Sequence, residues 1–284
     1  MKLYAIETGT FKLDGGAMFG VVPKVLWNKI YPADENNLCT WSMRALLIDD
    51  GKRRILIDTG MGDKQSDKFF GLYHYTDKGK MLKSLEEYGY KPEDITDVVH
   101  THLHFDHCGG TIKYDDKGNL VPTFPNATIW VSREHWKTAT EPNPRERASF
   151  FKENILPMQQ SGKLRFIETE GLLFENFEVL IFNGHTRGQV IPVINVNGHF
   201  LVYGGDLFPS SAHIYEPYIM SYDMCAERTL DDKARFFKKA LENNYTIFFE
   251  HDYYNQCATI YKTEKGHKVK ETFNLEDFCK KAGC

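Results

Sequence analysis

A chain of 284 residues can hold one large domain or two small ones, and its 42% hydrophobic residues, with 14% aromatics, supply a sizeable core. Its 35 basic and 39 acidic residues leave a net charge of -4, which argues against an electrostatic nucleic-acid binder. No stretch approaches the about 18 uncharged apolar residues of a membrane span, and the start, MKLYAIETGT, lacks the apolar run of a secretory signal.

From the N-terminus, DGGAMFGVVPKVLW (residues 14 to 27) is Gly-rich and admits two readings. It is a mobile loop offering Met18, Phe19 and Trp27 to an apolar substrate tail, or a segment packed into the core. RALLIDDGKRRILIDTG (44 to 60) reads as a hairpin, two apolar runs joined by a polar Asp-Asp-Gly turn. KGKMLKSLEEYGY (78 to 90) carries Met81, Leu82, Leu85 and Tyr88 at helical spacing and closes on Gly89. DITDVVHTH (94 to 102) predicts a buried strand. ATIWVSREHW (127 to 136) predicts a strand followed by a helix with Ser132 as its N-cap. FEVLIFNGHT (177 to 186) and HFLVYGGDLF (199 to 208) predict two more strands. TLDDKARFFKKALENN (229 to 244) opens with Thr229 and Asp232 in capping-box spacing and predicts a helix with Ala234, Phe237, Ala240 and Leu241 on one face. YTIFFEHD (245 to 252) predicts a buried strand, and ATIYKTEKGHKVKETF (258 to 273) a closing hairpin. Strands mixed with helices, some paired by hairpins, indicate an α/β or α+β layered fold.

Polar residues follow the ends of four apolar strands, after Val99, Phe182, Tyr203 and Phe249. In layered α/β folds, strand ends and the loops after them build the site. The densest of these is THLHFDHCGG (101 to 110), with His102, His104, Asp106 and His107 inside six positions. On extended backbone the 102/104/106 spacing aims side chains one way, and the adjacent Asp106 and His107 add a second direction. A zinc site takes about four ligands, and a short turn rarely wraps one ion completely, so two ions sharing the turn is the more natural arrangement. The other strand ends supply the rest, His185 in FNGHTRG, Asp206 in YGGDLF and His251 in FFEHDYY. The division that follows gives His102, His104 and His185 to one ion and Asp106, His107 and His251 to the other. Asp206 bridges them, because a carboxylate has two oxygens. Imidazole and carboxylate without thiolate suit two Zn2+, with iron, manganese or cobalt also fitting.

These residues resemble the metallo-β-lactamase superfamily, whose H-x-H-x-D-H signature HLHFDH fits. LIDTG (56 to 60), GHT (184 to 186), GGD (204 to 206) and EHD (250 to 252) match its other motifs in order. The resemblance covers nearly the whole chain. It implies one domain over residues 1 to 284, a four-layer αββα sandwich, with the seven ligands above at matching positions. The branch most similar is that of the quorum-quenching acyl-homoserine lactonases and the organophosphate hydrolases beside them. Two departures stand out. Many members read GHTPGH where this chain has GHTRGQ, with Arg187 and Gln189. Acyl-homoserine lactonases carry, three residues after the bridging Asp, a Tyr that helps polarise the substrate carbonyl; here that residue is Pro209. His213, Tyr215, Tyr218 and Tyr222 lie in the same stretch, and His213 is the favoured substitute, a donor near the substrate.

The expected chemistry is opening of a lactone or related ester by a hydroxide that bridges the two ions, since even one zinc lowers the pKa of water to about 7. Asp106 is expected both as a ligand and as a proton shuttle. Met18, Phe19, His213 and Tyr222 are the candidate substrate-binding residues. A phosphotriesterase, or an ester, thioester or β-lactam hydrolase, is the alternative on the same site. Diiron redox relatives usually carry Glu at the place of His104, which favours hydrolysis. Asp58 reads as an acceptor that orients a ligand histidine, or as a turn former. His100 is expected to be structural, and Arg187 either binds an anionic group or is solvated. The six cysteines are scattered without a CxxC pair, so a reducing, cytoplasmic setting is expected. Cys108, beside the cluster, is expected to be a small buried residue. The expected partner is a small-molecule ester, not nucleic acid or membrane, and a homodimer is compatible with the sequence.

Overall fold

The computed structural model describes residues 1–284. A long first strand, β1 (Lys2–Asp14), leads into two short helices, α1 (Gly15–Phe19) and α2 (Lys24–Trp27). β2 (Leu38–Asp49) and β3 (Arg54–Ile57) form the predicted hairpin, with Leu46 opposite Ile57. Then follow α3 (Asp67–Leu72), α4 (Lys80–Glu87), β4 (Asp97–Val99), α5 (Phe105–Cys108), the small hairpin of β5 (Ile112–Tyr114) and β6 (Leu120–Pro122), β7 (Thr128–Ser132), α6 (Arg133–Thr140), α7 (Lys152–Gln160) and β8 (Leu164–Ile167). The remainder is β9 (Gly171–Phe174), β10 (Phe177–Phe182), β11 (Gln189–Val196), β12 (His199–Tyr203), α8 (Ala226–Asn243), β13 (Thr246–Phe248), the closing hairpin β14 (Cys257–Thr263) and β15 (Gly266–Phe273), and α9 (Leu275–Ala282). No helix is long and apolar enough to cross a membrane.

The chain divides into two compact units, one of Met1–Thr10 with Met43–Thr169 and one of Phe11–Ser42 with Glu170–Cys284. The first is built on the sheet β1-β2-β3-β4-β7-β8. Its strands β3, β4, β7 and β8 run parallel, so their C-terminal ends share an edge. Asp58 follows β3 at that edge and the segment from His100 follows β4. Apolar residues of α4 (Met81, Leu85) pack with Leu56 and Val98, and those of α6 and α7 (Trp136, Ile155, Met158) pack with Ile129 and Val131. Ser132 caps α6 as predicted, its Oγ accepting from His135 N at 3.0 Å.

The second unit is built on the sheet β15-β14-β13-β12-β11-β10-β9. β12 and β13 are parallel, and β10 is antiparallel to β11, which is antiparallel to β12. β10, β12 and β13 therefore point the same way, and the loops bearing His185, Asp206 and His251 all leave one edge. α8 lies on this sheet through Phe236, Phe237 and Ala240, against Val202, Phe208 and Ile247.

One expectation needs correction here, and one open choice is decided. α8 starts at Ala226, with Cys225 as N-cap and no side-chain cap bond, so Thr229 and Asp232 form no capping box. Its buried face runs through Thr229, Asp232, Lys233, Phe236, Phe237 and Ala240, with Ala234 exposed and Leu241 half-buried. Asp232 instead serves a loop distant in sequence and Thr229 serves the nearby Asp223. Of the two readings of residues 14 to 27, the packed one holds for its large anchors, while Val21, Val25 and Leu26 stay exposed. Met18, Phe19 and Trp27 are buried, and Phe19 stacks on Trp27 at 5.0 Å. Gly15 is there for space: a Cβ on it would lie 2.3 Å from the Trp27 ring.

Lys233 is fully buried on α8 and donates to the carbonyls of His213 (2.8 Å) and Tyr218 (2.7 Å), tying the 213 to 218 segment to the helix. Burial lowers its pKa to about 7, against the pull of Asp223 and Glu216. An unfolded Lys titrates near 10.4, so above pH 7 the folded state binds fewer protons than the unfolded one. The stability of the wild type relative to Lys233→Met is therefore expected to be flat below pH 7 and to rise between about pH 7 and 10, by up to about 1.4 kcal/mol per unit. Urea unfolding of both proteins at several pH values measures this slope.

Candidate metal centre

The turn after β4 is shaped by close backbone packing. A Cβ on Gly109 would meet Met61 O at 2.0 Å, and one on Gly110 would meet Thr59 O at 2.4 Å, which explains the Gly-Gly that ends the histidine run. Leu103 N donates to His135 Nε2 at 2.7 Å, pinning the backbone between two donor histidines. The Nε2 of His102 and Nδ1 of His104 face each other at 3.0 Å, and Asp106 Oδ2 lies 3.8 Å from His107 Nε2.

The second unit carries three donors. Asp206 points one oxygen, Oδ2, at His185 Nε2 and the other, Oδ1, at His251 Nε2, each at 3.2 Å. Atoms bound to one ion by bonds of about 2.1 Å sit roughly 3.4 Å apart in a tetrahedral shell. The separations at Asp206 and between His102 and His104 thus fit donors converging on ions.

Each of the five imidazoles is also held by its outer nitrogen. His102 Nδ1 meets Thr101 Oγ1 at 3.0 Å, His104 Nε2 meets Glu146 Oε1 at 3.3 Å, and His107 Nδ1 meets Asp58 Oδ2 at 3.1 Å. His185 Nδ1 meets Asp223 Oδ1 at 2.9 Å, and His251 Nδ1 meets the carbonyl of Ser42 at 2.8 Å. An imidazole whose outer N–H is taken by an oxygen keeps its inner lone pair for a cation. Histidine held for packing alone has no need of this consistent division, so the donor set fits divalent transition ions.

The fixing extends outward. Asp58 is fully buried and also accepts from Thr101 N (2.9 Å) and Thr101 Oγ1 (2.6 Å). Burial opposes its ionisation, yet the hydrogen bonds and charge of His100 and His107 prevail and hold its carboxyl down to about 2. Its φ of 57° lies in the left-handed region, which Asp tolerates better than most residues, so it is an orienting acceptor and a turn former at once. From α8, Asp232 grips the GHT loop and Thr229 grips Asp223, the partner of His185. Asp232 Oδ2 accepts from the amides of Asn183 and Gly184 at 2.8 Å each, and Thr229 Oγ1 donates to Asp223 Oδ2 at 2.8 Å. Asp252 accepts from Ser211 N at 2.8 Å, and His251 N donates to Pro209 O at 3.2 Å.

The candidate substrate residues divide. His213 is buried: its Nε2 lies 2.9 Å from Met18 O, its Nδ1 lies 2.7 Å from Ser210 Oγ, and Phe19 stacks on its ring at 4.9 Å. Burial holds its pKa down to about 3, so it is neutral. Met18 and Phe19 are 2% and 0% exposed, whereas Tyr222 is 42% exposed. Arg187 is exposed. Cys108 is fully buried, its Sγ donates to Leu103 O, and burial pushes the thiol up to about 12, which suits a small packing residue. Glu146, Asp223 and Ser42 were not anticipated; nothing local in the sequence marks them.

Comparison with known proteins agrees with this geometry. The metallo-beta-lactamase superfamily matches residues 44–249. An N-acyl homoserine lactonase of Bacillus cereus is 24% identical over 278 residues, covering 94% of this chain and 96% of the relative. A solved structure, a probable metal-dependent hydrolase from Staphylococcus aureus, superposes with a TM-score of 0.87 at 29% identity over 97% of both chains. The dizinc quorum-quenching lactonase AidC, solved with N-hexanoyl-L-homoserine as its product, gives 0.76 at 22% identity over 96% of this chain and 95% of its own, which shows a shared fold. With this family's match spanning most of the chain and its histidine and aspartate donors poised for ions, the protein belongs to the metallo-β-lactamase superfamily, and it is a hydrolase with the metallo-β-lactamase fold.

Proposed function

We propose that the two units act as one catalytic domain, a dinuclear zinc enzyme that opens a lactone or a related ester. The observation that carries this reading is the Asp206 carboxylate, divided between His185 and His251 at equal distances. In the proposal His102, His104 and His185 hold one ion, Asp106, His107 and His251 hold the other, and Asp206 serves both. The ions would supply Lewis acidity toward the substrate oxygen and a water acidified to near neutral pH. His104, Asp106 and Asp206 are the donors with residual exposure, 10%, 14% and 10% of their side chains, and the substrate is proposed to reach the ions past them. Asp106 would take up the proton that the attacking water gives up and hand it to the departing alkoxide, so that water ends divided between the acyl and the alcohol.

Lactones are favoured by the similarity to the Bacillus cereus N-acyl homoserine lactonase. A simple ester or phosphotriester is the second reading, favoured by Pro209, which can donate no hydrogen bond to a carbonyl and whose own oxygen receives His251 N. In either reading His213, Met18 and Phe19 form a supporting wall, because both His213 nitrogens are already bonded. Tyr222 is the one of the four candidates with substantial ring surface for a substrate.

The test is kcat/KM of the zinc-loaded protein on short- and long-chain acyl-homoserine lactones, an aryl ester and a phosphotriester, with His104→Ala as control. A lactone value above ~10⁴ M⁻¹s⁻¹ is expected. Weak lactone turnover beside a much better ester or phosphotriester would sink the lactonase assignment and leave the dinuclear hydrolase standing.

A further inference from the structure

Four buried side chains outside the donor set close a ring on His107. From His107 Nδ1 the ring runs to Asp58 Oδ2, and from Asp58 Oδ1 to His100 Nδ1 at 3.3 Å. His100 Nε2 lies 2.8 Å from Thr111 Oγ1, which lies 3.0 Å from Thr59 Oγ1. Thr59 returns to the start, donating to His107 O from its Oγ1 at 3.1 Å and from its backbone N at 2.7 Å. Every member is at most 1% exposed, so water does not substitute for a missing partner.

The geometry points to His100 as a positioning residue for the ion that His107 holds. This inference rests on the dinuclear reading above. The side chain touches neither a reacting atom nor a donor atom. It fixes one oxygen of Asp58, and the other oxygen then fixes the tilt of the His107 ring and keeps the ring proton on Nδ1. Without His100, Oδ1 of Asp58 keeps only the amide of Thr101, and the tilt of the carboxylate toward His107 is set by three hydrogen bonds instead of four. Any fully buried imidazole needs partners for both of its nitrogens, so what distinguishes His100 is where its partners lead. Here each has a side-chain partner, and both partners belong to the ring that leads back to His107. Outer partners of this kind typically change metal affinity about 10–100-fold when removed.

The experiment uses the full chain stripped of metal and titrated with Co2+, reading the visible bands and the two dissociation constants by chelator competition. The variants are His100→Leu, which removes both polar contacts at similar volume, and His100→Asn, whose amide can still donate toward Asp58. The wild type is expected to take up two equivalents. His100→Leu is expected to weaken one of them by about 10–100-fold and shift its bands, leaving the other unchanged, and His100→Asn to restore most of the loss. A melt of the metal-free proteins shows that the variants are folded. Should His100→Leu fail to fold, Thr111→Val removes only the hydroxyl behind His100 and should give a smaller weakening of the same ion. A folded His100→Leu with wild-type affinities and bands overturns the inference, as does a His100→Asn no better than Leu, or an unchanged Thr111→Val. A wild type that takes up fewer than two equivalents overturns the dinuclear reading first, and this inference with it.

Discussion

Asp206→Ala is expected to lose the paired ions and to lower kcat/KM by about 10³-fold or more, the size of several kcal/mol of electrostatic stabilisation. The carboxylate faces two imidazole nitrogens at once, at 3.2 Å each, so removing it takes a donor from two places. The histidines themselves stay put, because Asp223 and the Ser42 carbonyl hold them from behind. The damage should therefore appear as lost metal and lost rate with little change in the melting of the metal-free protein. Asp206→Asn is the sharper control, since it keeps the volume and one oxygen but turns an NH2 group toward one of the two imidazoles. Elemental analysis and kcat/KM measured together decide the matter. Two ions retained in Asp206→Ala, with a rate within tenfold of wild type, would refute the bridging role.

Asp58→Ala should produce the opposite balance, a stability defect as well as a metal defect. Four hydrogen bonds end on this carboxylate, from Thr101 N, Thr101 Oγ1, His100 and His107, all in the dry interior. Leaving such donors without an acceptor costs about 3 kcal/mol or more, and alanine is less tolerant than aspartate of the φ of 57°. In a chain of this size the loss corresponds to a drop in Tm of roughly 6–12 °C. The pH dependence has a definite sign. The folded carboxyl titrates below its unfolded value of about 3.9, so its contribution is complete above that pH and fades as pH falls through the depressed folded value. The gap in stability between wild type and Asp58→Ala should be constant near neutrality and shrink below about pH 4. Chemical denaturation of the metal-free proteins across that range measures it, and a gap that widened on acidification would contradict the assignment.

The clustered histidines and aspartates were legible in the sequence, and so was Asp58 behind His107 as one of two readings; the other supports were not, for a physical reason. His102, His104, Asp106 and His107 share a short turn, where spacing alone reports a common purpose. His185, Asp206 and His251 announce themselves as polar residues placed just past apolar strands. The oxygens behind the imidazoles lie 42 residues away for Glu146, 38 for Asp223 and 209 for Ser42, and no local pattern connects such pairs. Long-range use also misled the reading of α8. Thr229 and Asp232 have the spacing of a cap, yet Asp232 is spent on the loop of His185 and Thr229 on Asp223, the residue behind His185. The glycines at 15 and 16 left mobility and packing equally open, because the Trp27 ring that Gly15 admits is not marked by any local pattern. The paired strands of the two hairpins, with alternation and polar turns inside one short window, were read correctly.

His251 differs from the other four histidines in what stands behind it. Thr101, Glu146, Asp58 and Asp223 act through side chains, and any of them can be deleted by one codon change. The Ser42 carbonyl belongs to the main chain, and every residue supplies one. Ser42 is buried, so bulky residues there would register as packing defects, but Ser42→Ala, which fits the same space and keeps the carbonyl, would pass in silence where alanine at the other four positions would not. Tolerance at position 42 would say nothing against its part in the site; it would mean that this anchor is written into the path of the backbone, where drift in the side chain cannot reach it.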